Sequence, residues 1–159
     1  MESNFNREVY RFIEACQDYN VRMLLVGGSA VNFYGYKRHS ADIDFWIDNH
    51  PSNMNKLLKA LNELGFSISD LPEKVKLGDQ NISIRISPDL EIELITRFNP
   101  GKTFDDAYKE SVGFETGQQK VLKWNIISYE DLIASKIKSG RPKDLLDVQE
   151  LRRLEKRGK

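Results

Sequence analysis

Four consecutive apolar residues, Met23-Leu24-Leu25-Val26, run straight into Gly27-Gly28-Ser29, and this junction constrains the fold more than any other part of the chain. An apolar run so short has the length of a buried strand. The glycines that end it mark a turn where the backbone can approach another group with no side chain in the way. Ser29 is placed to cap a helix running to about Tyr36, with Ala30, Val31, Phe33 and Tyr34 as its apolar surface. Gly35 and the polar stretch Lys37-Arg38-His39-Ser40 then call for a loop before a second strand, Asp42 to Ile47. Along that strand Ile43, Phe45 and Ile47 point one way and Asp42, Asp44 and Trp46 the other.

Helices flank this centre. Val9, Phe12, Ile13 and Cys16 recur at helical spacing between about Arg7 and Tyr19, and Asn20 helps to end that helix. Pro51 and Ser52 start another through Leu57, Leu58, Leu61 and Leu64, with Gly65 suited to its C-terminal end. Ile82–Ile86 and Leu90–Ile95 alternate with period two around Ser87-Pro88-Asp89, which reads as a hairpin. After Asn99-Pro100-Gly101 comes a short helical or irregular region, then a weaker strand from Val121 to Ile127. Ser128-Tyr129-Glu130-Asp131 opens a helix that Gly140 closes, and Arg141-Pro142 starts a last amphipathic helix with a strongly basic end.

At 159 residues the expectation is one α/β (α+β) domain spanning 1–159: a small mixed sheet with flanking helices over about 20–127, then a helical segment over about 128–157. With 24 Lys and Arg against 24 Asp and Glu, net charge gives no global attraction to nucleic acid or membrane, so any basic function is local. The single cysteine, Cys16, excludes an internal disulfide and falls on the apolar side of the first helix. The N-terminus lacks the basic and apolar regions of a signal peptide, and no apolar run nears the roughly 20 residues of a membrane span. A cytoplasmic protein with no membrane partner is expected.

The chemistry concentrates in the carboxylates. Asp42 and Asp44, two apart on a strand, project from the same face while Ile43 and Phe45 anchor the other. Like charges so placed repel, and a partly buried pair needs protonation or a cation. Magnesium takes hard oxygen ligands and shares them with substrate phosphates, with manganese as a substitute. Glu91 and Glu93 share one face of the second hairpin strand, and either could meet the aspartates; Glu93 is favoured as the third carboxylate. Three acidic groups could hold two ions around an in-line phosphoryl displacement, and one could take the proton of the attacking hydroxyl.

The order Leu24-Leu25-Val26-Gly27-Gly28-Ser29, a spacer from Ala30 to Ala41, then Asp42-Ile43-Asp44-Phe45 resembles the nucleotidyltransferase superfamily related to DNA polymerase beta. Closer still is the likeness to small bacterial members, the group containing AbiEii-like toxins and stand-alone nucleotidyltransferase domains. Arg38-His39-Ser40-Ala41-Asp42-Ile43-Asp44 resembles their Arg-x-Thr-x-Asp-Ile-Asp segment. Asp131–Lys136 followed by Gly140–Asp147 is similar to their C-terminal signature. The resemblance implies that Gly27, Gly28 and Ser29 contact a triphosphate, that Asp42 and Asp44 bind metal and act in catalysis, and that Glu93 completes the set where the family commonly has aspartate. It also implies Lys136 as a phosphate-binding cation, with a solvated lysine or a salt bridge to Asp144 as its plainer role; Arg38, in the loop before the aspartates, could clamp a phosphate or simply be an exposed loop arginine. The implied activity is magnesium-dependent transfer of a nucleoside monophosphate from a nucleoside triphosphate to a hydroxyl of a small molecule, a tRNA end or a protein. The competing expectation is a nucleotide-binding or regulatory module with little chemistry, paired with an antitoxin.

Other residues carry plainer expectations. Arg85 falls on the carboxylate side, suited to a salt bridge. Asp144 and Asp147, at i and i+3, suit structural pairing with Lys143, Arg141 or Lys136. His39 has no second histidine or cysteine at zinc-ligand spacing. Trp46 and Tyr36 could stack a base, though packing is the commoner role. The basic C-terminal end could touch RNA, with a charged, fraying helix end as the default.

Overall fold

The Met23-Leu24-Leu25-Val26 run forms strand β1 (Met23–Val26), buried at all four positions, near the middle of a mixed sheet. The computed structural model describes residues 7–37, 42–117 and 120–158. Six strands lie in the order β3-β4-β2-β1-β6-β5. β2 (Asp42–Ile47) runs antiparallel to β1, while β4 (Leu90–Ile95) and β6 (Leu122–Ile126) pair in parallel with β2 and β1 respectively. β3 (Ile82–Ser87) closes one edge as the antiparallel hairpin partner of β4, and β5 (Val112–Thr116) closes the other against β6.

The expected alternation decides which face is covered. Ile43, Phe45, Ile92 and Leu94 are buried on one face. There α1 (Arg7–Asp18) brings Phe12 to 5.8 Å from Phe45, and α1 also packs on α3 (Pro51–Glu63). The boundaries follow local chemistry. Asn20 takes a left-handed φ of 57° after α1, the His50 side chain accepts a hydrogen bond from the Ser52 amide ahead of Pro51, and Gly65 turns the chain at φ 95°. On the opposite face Trp46 is boxed by Phe98 and Phe104, at 5.1 and 5.0 Å. Trp46 therefore packs, and Tyr36 likewise rests partly buried against the core.

The C-terminal third is a helix pair. α6 (Tyr129–Ser139) starts at Ser128, whose hydroxyl accepts from the Asp131 amide, and stops at Gly140, left-handed at φ 65°. α7 (Pro142–Arg157) begins with proline in its first turn and packs on α6. No helix among the described residues is long and apolar enough to cross a membrane.

Three details differ from expectation. Helix α2 spans Gly27–Phe33 with Val26 as its N-cap, so Ser29 lies inside the first turn rather than capping it. The one-turn helix α4 (Glu73–Lys76) is too short to show a period; it buries Val75. The stretch after α5 (Phe104–Lys109) contains the edge strand β5, whose half-exposed Val-Gly-Phe-Glu-Thr pattern carries little hydrophobic signal.

Candidate active site

Pairing of β2 with β4 in parallel places Asp42 opposite Glu91 and Asp44 opposite Glu93. Directly paired residues share a sheet face, so four carboxylates gather on two neighbouring strands. They are not equivalent. Arg85, one strand further out, donates to Glu91 at 3.1 Å, the salt bridge expected of it. Glu93 accepts from the Ser83 hydroxyl at 3.0 Å, a neutral partner that leaves its charge in place. Burial, then the charges of Asp42 and Glu93, push Asp44 up to about 6, against the pull of Lys136 and Lys143. Glu93, not Glu91, is the glutamate whose charge bears on Asp44.

The glycine turn presses on this cluster from β1. Val26 pairs with Asp44, and Gly27 follows at φ +63°, a conformation L side chains rarely adopt. A Cβ at Gly27 would overlap the Asp44 carboxylate, so the close approach requires glycine on two separate counts. Gly28 is buried behind it and Ser29 is half-buried.

Opposite Asp44 stands the α6–α7 corner. Lys136 is buried, its ammonium 3.2 Å from Asp144 Oδ1 and 3.0 Å from Asp147 Oδ2. The Ser139 hydroxyl donates to Asp144 at 2.8 Å and Arg141 Nε donates at 2.7 Å. Burial alone would raise the Asp144 pKa, but hydrogen bonds from Arg141, Ser139 and Lys136 outweigh it and hold the group at about 2. Between the two walls lies a cleft of about 380 Å³, bounded by Gly27 and Asp44 on the sheet side and by Lys136, Lys138 and Arg141 on the helix side. A partly buried acidic cluster facing cations across a cleft is suited to a phosphorylated ligand and a divalent cation. The protein family described as a nucleotidyltransferase of unknown function (DUF6036) matches residues 6–156.

The chain belongs to this family. A search of the curated proteins found no match. Family membership thus states a reaction class and names no substrate, and the geometry has to supply the rest.

Of the residues singled out from the sequence of this DUF6036 member, Gly27, Asp44 and Lys136 line the cleft itself. Asp42 and Glu93 stand beside Asp44 on the sheet, Asp42 exposed and Glu93 half-buried. Lys136 has its ammonium between Asp144 and Asp147, the structural pairing expected of those two aspartates. Arg38 and His39 lie outside the described residues. Asp42, Asp44 and Glu93 are the oxygen donors suited to a hard cation, although among the described residues no group of three or more His, Cys, Asp or Glu side chains is gathered in ligating geometry. Sequence reasoning missed Arg97, Phe98, Asn99 and Lys138 as cleft residues. A signal existed for the first three: they directly follow the strand that carries Glu93, so pairing Glu93 with Asp44 brings them to the same cleft.

Proposed function

We propose that the chain transfers a nucleoside monophosphate from a nucleoside triphosphate to a hydroxyl acceptor, a small molecule, a tRNA end or a protein side chain. One observation carries this reading: Asp44 is crowded by burial, Asp42 and Glu93 at the mouth of a cleft whose far wall is cationic. The donor set fits magnesium, or manganese, because like carboxylates on adjacent strands are relieved by a hard divalent cation. Asp42, Asp44 and Glu93 would hold it. When bound, it supplies charge neutralisation at the transferring phosphoryl group.

The chain's own residues do the remainder. The Gly27-Gly28-Ser29 turn, drawn against Asp44 because Gly27 has no Cβ, receives the phosphates. Lys138 and Arg141, both exposed on the cleft side of the helical wall, attract and orient the polyphosphate; Lys136 and Arg38 are the further cations of this reading. The acceptor oxygen bonds to the α-phosphorus, the bond from that phosphorus to the bridging oxygen breaks, and pyrophosphate departs. The hydroxyl proton passes to a carboxylate of the cluster.

The test is transfer of label from the α-phosphate of each nucleoside triphosphate, with magnesium, to RNA, protein and small-molecule acceptors. Asp42→Asn and Asp44→Asn should each lower transfer by about 100-fold or more. Transfer untouched by both substitutions would sink the mechanism. Nucleotide binding with no transfer to any acceptor would favour a regulatory module, such as one member of a toxin–antitoxin pair.

A further inference from the structure

The chemistry proposed above leaves one wall of the cleft without a task. Ile95, Phe98 and Asn99 form that wall, where the chain leaves the end of β4. Ile95 pairs with Trp46, two residues along β2 from Asp44, and a two-residue step along a strand covers about 7 Å. A ribose spans a comparable distance between an α-phosphate and its base. A nucleotide with its α-phosphate at Asp44 has the reach to set its base against this wall.

The two side chains are prepared in different ways. Phe98 stands perpendicular to Trp46, at 86° and 5.1 Å, and Trp46 is itself buried and held against Phe104. The phenyl ring is thus fixed from behind while it borders the cleft. Asn99 is exposed, and its Oδ1 accepts a hydrogen bond from the Gly101 amide at 2.9 Å. That bond sets the orientation of the carboxamide and leaves Nδ2 as a donor with no hydrogen bond among the described residues.

We propose that Phe98 and Asn99 form the nucleobase subsite, with the ring stacking on the base and the Asn99 amide donating to an acceptor on its edge. This rests on the nucleotidyl-transfer reading. A fixed aromatic ring stacks on any base at low entropic cost, whereas an oriented donor discriminates. Guanine O6 and uracil O4 are keto oxygens where adenine N6 and cytosine N4 are amino groups, so a donor set at that position favours the keto bases.

The experiment measures equilibrium binding of GTP, UTP, ATP, CTP and inorganic tripolyphosphate to the full chain with magnesium. Phe98→Leu, which keeps apolar packing on Trp46 but removes the stacking face, should weaken nucleoside triphosphates by about tenfold and leave tripolyphosphate unchanged. Asn99→Asp keeps an acceptor for the Gly101 amide but replaces the donor. It should move the ratio of keto-base to amino-base affinity by about tenfold toward ATP and CTP. Unfolding by urea, followed for each variant, excludes a loss of fold. Equal weakening of tripolyphosphate and nucleotides by Phe98→Leu, or an unchanged base ratio in Asn99→Asp, overturns the subsite. Tripolyphosphate bound as tightly as any nucleotide overturns it too, while leaving phosphate binding at Asp44 in place. Failure of the wild type to bind any of the five ligands removes both the subsite and the transfer reading.

Discussion

Asp44 and Asp144 border the same cleft from opposite walls, and their surroundings drive them in opposite directions. Both leave bulk water. Asp144 meets Arg141, Ser139 and Lys136, and with Lys136 shared by Asp147 the corner balances two cations against two carboxylates. Asp44 meets Asp42 and Glu93 on its own wall, with Lys136 and Lys143 as the opposing charges. The α6–α7 corner is therefore internally balanced, with Lys138 beside it as a further cation of that wall, whereas the sheet wall holds an excess of negative charge. Burial without compensation costs stability, and such places concentrate at functional sites. The difference separates a clamp that fixes the α6–α7 corner from a cluster suited to receive a cation.

The sharpest way to break this comparison is to empty the balanced corner. Lys136→Met leaves Asp144 and Asp147 buried without their shared ammonium and should lower the unfolding free energy by about 3–5 kcal/mol, measured by urea denaturation. A loss below about 1 kcal/mol would show that the corner does not depend on its ion pairs.

A smaller effect is expected where the turn meets the sheet wall. Gly27→Ala forces a Cβ into the left-handed region and onto the Asp44 carboxylate, for a loss of about 2 kcal/mol. Asp44→Ala should recover part of that loss, because it removes the overlapped oxygen, so the double variant is less destabilised than the sum of the singles. Strict additivity would place Asp44 away from the turn.

The smallest effect has the most telling sign. The folded pKa of Asp44, about 6, lies above its ordinary 3.8, so on acidification the folded state takes up the proton first. Its contribution to stability therefore rises as pH falls from 6 toward 3.8, and its penalty is complete only above 6. For Asp144, near 2 when folded, the sign reverses: its contribution is present above 3.8 and is lost as pH falls toward 2. In chelator at pH 8, Asp44→Asn should be more stable than the wild type by on the order of 1–2 kcal/mol, with the gap closing below about pH 4. Magnesium at pH 8 should narrow the gap by raising the melting temperature of the wild type alone. A variant less stable than the wild type at pH 8 would mean that Asp44 is not crowded by like charge.

Much of this architecture is visible in local patterns. The buried β1, the alternating β2, the amphipathic α1 and the caps at Ser128 and Gly140 all follow from residue type and spacing. Ser29 shows where local reasoning fails. Serine is a common cap, but the helix starts earlier, from Val26 with no side-chain cap, where Gly27 comes close to Asp44. β5 fails differently, because an edge strand with a glycine and little burial has almost no pattern to read, and only its pairing with β6 defines it.

Sequence by itself determined that Asp42 and Asp44 share a face, since a strand's period of two leaves no other arrangement once Ile43 and Phe45 are buried; the pairing of Val26 with Asp44 set the glycine turn against them. Sequence also put Glu91 and Glu93 on one face and favoured Glu93 without fixing which of them meets Asp44. Only tertiary structure separated them, through the parallel register of β4 on β2 and the Arg85 partner that engages Glu91. The place of Phe98 and Asn99 at the cleft was decided in the same way. Such contacts depend on how distant segments pack, and no local period records that.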